Sequence, residues 1–175
     1  METQMLIEAA KRGDKKAFES LIQRYHNELY YTALGIVRSG WDALDICQDT
    51  FLKVFSSLDT LNDTSKFRTW INKILVNKCY DLFRKNKRIS LMDSLEYEGF
   101  FEDSKEEYID LLKALSSLKE EMRVVITLRY FQDMPIKEIA AVAGCPEGTV
   151  KSRLSYGLKE LRKLMKSGME GEENL

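Results

Sequence analysis

The chain has 175 residues and only two prolines, Pro135 and Pro146, both in its last third. No proline therefore breaks a helical hydrogen-bond ladder over the first 134 positions. Apolar residues return every three or four positions along almost the whole length, the spacing of one helix face, and no alternating strand pattern competes with it. The expected fold is all-α: helices joined by short turns. Hydrophobic residues make up 44% and charged residues 31%, enough to build a core and still keep a solvated surface.

The apolar stripes locate the helices. Asp14 can cap a helix carrying Phe18, Leu21, Ile22, Tyr25, Leu29, Ala33, Ile36 and Val37, which ends near Gly40. Asp42 can cap the next, where Cys47, Thr50, Phe51, Val54, Phe55 and Leu58 form the stripe and Asp42, Asp45 and Asp49 lie on another side. Polar residues from Asp59 to Ser65 make a loop. A third helix starts near Phe67 and buries Phe67, Trp70, Ile71, Ile74, Leu75, Cys79 and Leu82. Its expected exposed side carries Arg68, Asn72, Lys73, Asn77, Tyr80 and Arg84.

From about Ile89 to Ser104 the periodicity disappears, which reads as a flexible linker between two small helical domains. Beyond it Tyr108, Leu111, Leu112, Leu115 and Leu118 mark one helix, and Met122, Val125, Ile126 and Arg129 to Phe131 another. Pro135 suits the first turn of a helix over Ile136 to Ala143, Gly144 supplies a left-handed stop, and Pro146 opens a last helix with Val150, Leu154, Leu158, Leu161 and Met165 inward. Two helices joined by a tight glycine turn fit a helix-turn-helix. The expected division is 1–88, an acidic linker 89–106, a second domain 107–166 and an acidic tail 167–175.

The net charge of -1 conceals strong segregation. Between Lys66 and Arg88 eight basic residues face Asp81 alone, a signature of polyanion binding; between Asp93 and Asp110 eight acids face Lys105 alone. Cys145 to Lys166 is basic again. In the last helix Lys151, Ser152, Ser155, Lys159 and Arg162 lie opposite the apolar stripe, a solvated basic face or one that enters a major groove.

Other chemistries find little support. Cys47, Cys79 and Cys145 are odd in number, far apart and form no C-x-x-C pair, so they read as small core residues. His26 is the only histidine. Asp42, Asp45 and Asp49 share one helix face, but carboxylates from a single exposed helix make a poor metal cage, so no metal, cofactor or enzymatic activity is expected. No apolar run reaches the ~20 residues of a membrane span and no signal-peptide pattern opens the chain, which points to the cytosol.

Three segments, Leu128-Arg129-Tyr130-Phe131, Ile136-Lys137-Glu138-Ile139-Ala140 and Gly148-Thr149-Val150-Lys151-Ser152-Arg153-Leu154, resemble the domain of bacterial sigma factors that reads the -35 promoter element. Asp42-Ala43-Leu44-Asp45-Ile46-Cys47-Gln48-Asp49-Thr50-Phe51 resembles the segment of that family that grips the polymerase clamp, and Phe67-Arg68-Thr69-Trp70-Ile71 follows at the expected distance. The similarity spans about Ala17 to Leu164, with no third domain between the halves, as in the extracytoplasmic-function (ECF) subgroup.

The resemblance implies a factor that binds core RNA polymerase and directs promoter-specific initiation of stress-response transcription. Its partners would be promoter DNA and an anti-sigma protein, often membrane-linked, with no small-molecule substrate. It implies -35 contacts from Thr149, Lys151, Ser152, Arg153, Ser155, Tyr156, Lys159 and Arg162. Contacts to the -10 element would come from Asn62, Arg68, Asn72, Lys73 and Asn77, and polymerase contacts from Asp45, Gln48, Asp49 and Phe51. Trp70 is either a stacking platform for a base or, from its place on the stripe, a core residue. The acidic linker either lies against the basic faces in the free protein or is merely solvated.

This sequence departs from the family pattern at Leu44, where an acid is common, at Lys119, where proline is common, and at Ser155-Tyr156-Gly157. A glycine at 157 is expected to loosen the last helix by up to about 1 kcal/mol relative to alanine. The rival reading is a helix-turn-helix regulator that works without polymerase, which would explain only one of the two basic modules.

Overall fold

A computed structural model of the chain describes residues 2–89 and 113–172. Among these, regular structure is helical throughout: α1 (Glu2–Lys11), α2 (Lys15–Val37), α3 (Gly40–Ser57), α4 (Phe67–Ile89), α5 (Glu120–Tyr130), α6 (Ile136–Ala143) and α7 (Glu147–Glu172). A short helical run, 113–116, precedes α5. The acidic linker expected at 89–106 falls almost wholly outside the described residues. The last helix continues through Glu172, into the stretch the sequence sets apart as a tail.

Capping residues explain the boundaries. The Asp14 carboxylate accepts from the amides of Lys16 and Ala17, as its position before an amphipathic run suggests. Helix α2 stops at Val37, with Arg38 in the left-handed region at φ 69°. Helix α3 then begins earlier than expected, because Ser39 and not Asp42 is its cap: the Ser39 hydroxyl accepts from the Asp42 amide. Asp42 instead sits in the first turn, where a carboxylate favours the positive helix end. Helix α1 is an element the sequence reading leaves out. Its Ile7 is fully buried, and Arg24 of α2 reaches its first turn at Glu2 and Thr3.

Helices α1 to α4 form one bundle, and α5 to α7 a smaller one built on contacts of α5 and α6 with α7. The two halves pack against each other, α4 on α6 and α2 on α5, so that one continuous core runs from Ile7 to Leu161. Close approach explains Gly35: a Cβ there would lie 2.8 Å from the Phe131 ring and 3.1 Å from Thr127. Gly35 stands in the last turn of α2, where its lack of a side chain leaves room for the second half.

Candidate nucleic-acid interface

The helix-turn-helix forms where the glycine and prolines place it. Pro135 precedes α6 as its cap, its carbonyl accepting from the Glu138 and Ile139 amides. Gly144 ends α6 at φ 66°, and its amide and that of Cys145 both turn back to the Ala140 carbonyl. Val150, at the start of α7, is fully buried and Leu161 nearly so, which fixes the rotation of that helix. Lys151, Ser152, Ser155, Tyr156, Lys159 and Arg162 are consequently all exposed on one side. Thr149 is half-buried at the edge of that side. Arg153 is half-buried and turns the other way, with Nη1 3.5 Å from the Cys145 sulfur.

The inward side of α7 explains Gly157. A Cβ at this buried position would lie 2.5 Å from Ile126 Cδ1 of α5. The residue that reads as a weak point of the helix is therefore one where α7 packs directly against Ile126 and Met122 of α5.

In the first half the loop before α4 is folded into two short 3-10 turns, Leu58–Thr60 and Thr64–Lys66. Asn62 is exposed between them, and Asp63 accepts from the Ser65 amide and hydroxyl. These bonds, the Ser65 hydroxyl's first and then its amide's, hold the Asp63 carboxyl below the usual carboxylate range. On α4, Lys73 and Asn77 are exposed. Trp70 is half-buried and packs against the core beside Phe67.

Asn72 and Tyr80 do not lie on an exposed side. Asn72 is fully buried, its Nδ2 donating to the Arg68 carbonyl at 3.0 Å while its Oδ1 has no partner. The reason is that α4 has a second covered stripe at helical spacing: Thr69, Asn72, Val76, Tyr80 and Phe83. Thr69 donates to Glu138 of α6 at 3.0 Å, and Arg123 of α5 stands over the Phe83 ring at 5.6 Å. Burial pushes the Tyr80 phenol up, and the Arg153 guanidinium of α7 pulls against that rise.

Arg68 is half-buried beside this seam. Its Nε donates to Glu28 at 3.0 Å and its Nη2 to the Gln132 carbonyl at 2.5 Å. Gln132, nearly fully buried, in turn donates to the Thr32 hydroxyl at 2.5 Å. Arg68 is thus engaged with the second half rather than directed to solvent.

On α3, Asp45, Gln48 and Asp49 are exposed, whereas Phe51, expected to touch polymerase, is 8% exposed and belongs to the core. Its ring lies parallel to that of His26, 6.3 Å away. Phe55, expected inside, is 65% exposed and meets Phe18 edge-on. Trp41, Leu44, Leu52 and Phe55 together form an exposed apolar stripe at helical spacing, with Asp45, Gln48 and Asp49 beside it. A groove of about 410 Å³ lined by His26, Tyr30, Tyr31, Trp41 and Leu44 adjoins it. Sequence periodicity hides this stripe, because it runs parallel to the buried one along the same helix. The described residues hold no group of histidine, cysteine or acidic side chains able to bind a metal ion, and no helix there is long and apolar enough to cross a membrane.

One exposed face lies on a helix-turn-helix and another on a separate helix and loop, which defines a two-part helical protein with a helix-turn-helix in its second half. Residues 21–89 match the family model for Sigma-70 region 2, and residues 108–161 that for Sigma-70, region 4. RNA polymerase sigma factor SigV of Bacillus subtilis (strain 168) is 35% identical over 155 residues, covering 87% of this chain and 93% of that protein. The ECF RNA polymerase sigma-E factor of Escherichia coli (strain K12) is 34% identical over 168 residues, 86% and 87% of the two chains. Among solved structures, CnrH in complex with the cytosolic domain of CnrY superimposes with a TM-score of 0.74 at 27% identity, covering 95% of this chain and 99% of that one. The sigma factor RpoE in complex with the anti-sigma factor NepR from Bartonella quintana gives 0.74 at 27%, over 86% and 98%. The chain belongs to the ECF group of RNA polymerase sigma factors.

Proposed function

We propose that this sigma factor divides promoter recognition between α7 and the Asn62 loop with α4. Lys151, Ser152 and Ser155 reach base edges of the -35 duplex, where a good contact discriminates by about 1–3 kcal/mol, and Lys159 and Arg162 hold phosphates. Asn62, Lys73 and Asn77 capture bases and backbone of the opened -10 element. Stacking is worth about 1.4 kcal/mol per step, so opening needs such compensation. Arg68 and Asn72 join this set only in a state where the second half has moved off α4.

Core polymerase docks on α3 through Asp45, Gln48 and Asp49, joined by Trp41 and Leu44, while Phe51 supports this surface from beneath. The protein makes and breaks no covalent bond; its output is the choice of start site. It works in the cytoplasm, and an anti-sigma protein restrains it, as CnrY and NepR partner its structural relatives.

The observation that carries this reading is the pair of exposed faces on α7 and α4, which a regulator with one DNA-binding module does not need. Transcription in vitro with purified core polymerase on a fragmented genome should give start sites that appear only when the factor is added. If no such start appears while the factor alone binds an operator tightly, it is a regulator.

A further inference from the structure

Helix α1 precedes the segment that matches the family model, which begins at residue 21. It nevertheless touches the loop before α4, on both of its short turns. The contact that matters is polar and long-range: Lys11 Nζ, in the last turn of α1, donates to the Leu61 carbonyl at 2.7 Å across fifty positions of sequence. Lys11 is half-buried, so part of its stem is covered while its ammonium meets that carbonyl.

Leu61 is consequently fixed in three ways. Its side chain is buried at 5% exposure, its amide donates to the Leu58 carbonyl at 3.2 Å, and its carbonyl accepts from Lys11. Two residues on, Asp63 is fixed by its bonds from Ser65. Asn62 is exposed between these two anchors, and the Leu61–Asn62 peptide is the one whose oxygen Lys11 holds. Without that bond the peptide oxygen loses its partner, and tilting of the peptide between the remaining anchors re-aims the Asn62 side chain.

We infer that Lys11 is a positioning residue for the promoter-opening loop, which makes α1 part of the machinery that selects the -10 sequence. Lys11 itself touches no base; it fixes the direction from which Asn62 does. This rests on the role proposed for Asn62 above.

The test uses holoenzyme assembled from full-length factor and core polymerase, transcribing a promoter library randomised through the -10 element. Wild type, Lys11→Met, Lys11→Arg and Asn62→Ala are compared. Lys11→Met is expected to lower discrimination about fivefold, the worth of one such bond, at the same position that Asn62→Ala affects. Lys11→Arg, which keeps a donor, should restore most of it. Core binding, measured by competition, should be unchanged in both Lys11 variants.

A Lys11→Met profile identical to wild type, with an altered Asn62→Ala profile, overturns the inference. So does a uniform loss of transcription across all sequences, which would make Lys11 a structural brace only. An unaltered Asn62→Ala profile instead removes the base-reading role of the loop, and the Lys11 inference falls with it.

Discussion

Arg123 of α5 donates from Nε to the Ile36 carbonyl in the last turn of α2 at 2.6 Å, and from Nη1 to the Leu118 carbonyl at 2.7 Å. A cation thus meets the negative end of a helix belonging to the other half. Burial, reinforced by the nearby positive charge of Arg38, pulls the guanidinium down to about 10, so this charge is kept at a cost offset by the two carbonyls and the Phe83 ring. Arg123→Met fills the volume but leaves both carbonyls without a donor. It should destabilise the protein by about 2–4 kcal/mol in urea unfolding, with Arg123→Lys recovering only part because an ammonium lacks the planar fork.

Gly157 offers a test of packing against propensity. Alanine is about 1 kcal/mol better in a helix interior, but its Cβ would collide with Ile126 Cδ1. Gly157→Ala alone should therefore lower stability by about 1–2 kcal/mol. Combined with Ile126→Val, which deletes the colliding methyl, it should come close to wild type. Additive losses in the double variant would show that the contact is not the cause.

Alkaline pH should weaken the first bundle. Burial raises the Cys47 thiol from its usual 9.0 to about 12 and raises the fully buried Cys79 as well. The folded protein keeps these protons where the unfolded chain releases them. Their contribution is complete below pH 9 and is lost as the pH climbs toward 12, by about 1.4 kcal/mol per pH unit for each thiol. Urea unfolding between pH 8 and pH 10 should show a shallower decline for Cys47→Ala than for wild type; parallel curves would count against it.

Along α7, position on the exposed face separates two kinds of DNA contact. Lys159→Ala should weaken holoenzyme binding similarly on all -35 sequences and reduce the slope of log affinity against log salt by about 1. Lys151→Ala should relax choice at one base pair, worth about 1–3 kcal/mol. Binding of both variants across a -35 library at several salt concentrations distinguishes the two.

Trp41 is 63% exposed at the head of the apolar stripe on α3. A large exposed aromatic on a docking surface carries more than its share of affinity, so Trp41→Ala should weaken core polymerase binding by about tenfold. Equal affinity for core would move the docking surface elsewhere.

The helix-turn-helix is legible in the sequence because its punctuation is local: Pro135, Gly144 and Pro146 each act on the backbone where they stand. The stripes of α2, α3 and α4 are legible for the same reason. What is not legible is where a helix has two partners. Asn72 and Tyr80 read as part of an exposed polar side because amides and hydroxyls ordinarily face water. Nothing near them in sequence announces that the second half packs onto this side of α4. Phe55 reads as part of the buried stripe with Phe51 because only four positions separate them, yet they lie on neighbouring lines of one helix and only Phe51 is buried. Helix α1 escapes notice because its ten residues offer only Leu6, Ile7 and Ala10 to the core.

The covered stripe of α4, from Thr69 to Phe83, also bears on how such factors can be recombined. Exchanging the -35 module for that of a relative looks like a cut anywhere between residues 90 and 112, yet the incoming module would land on five side chains shaped for the departed one. A chimera that carries Thr69, Asn72, Val76, Tyr80 and Phe83 along with its new second half should fold where a simple splice does not. The natural unit of exchange in this chain therefore includes one side of a helix from the half left behind.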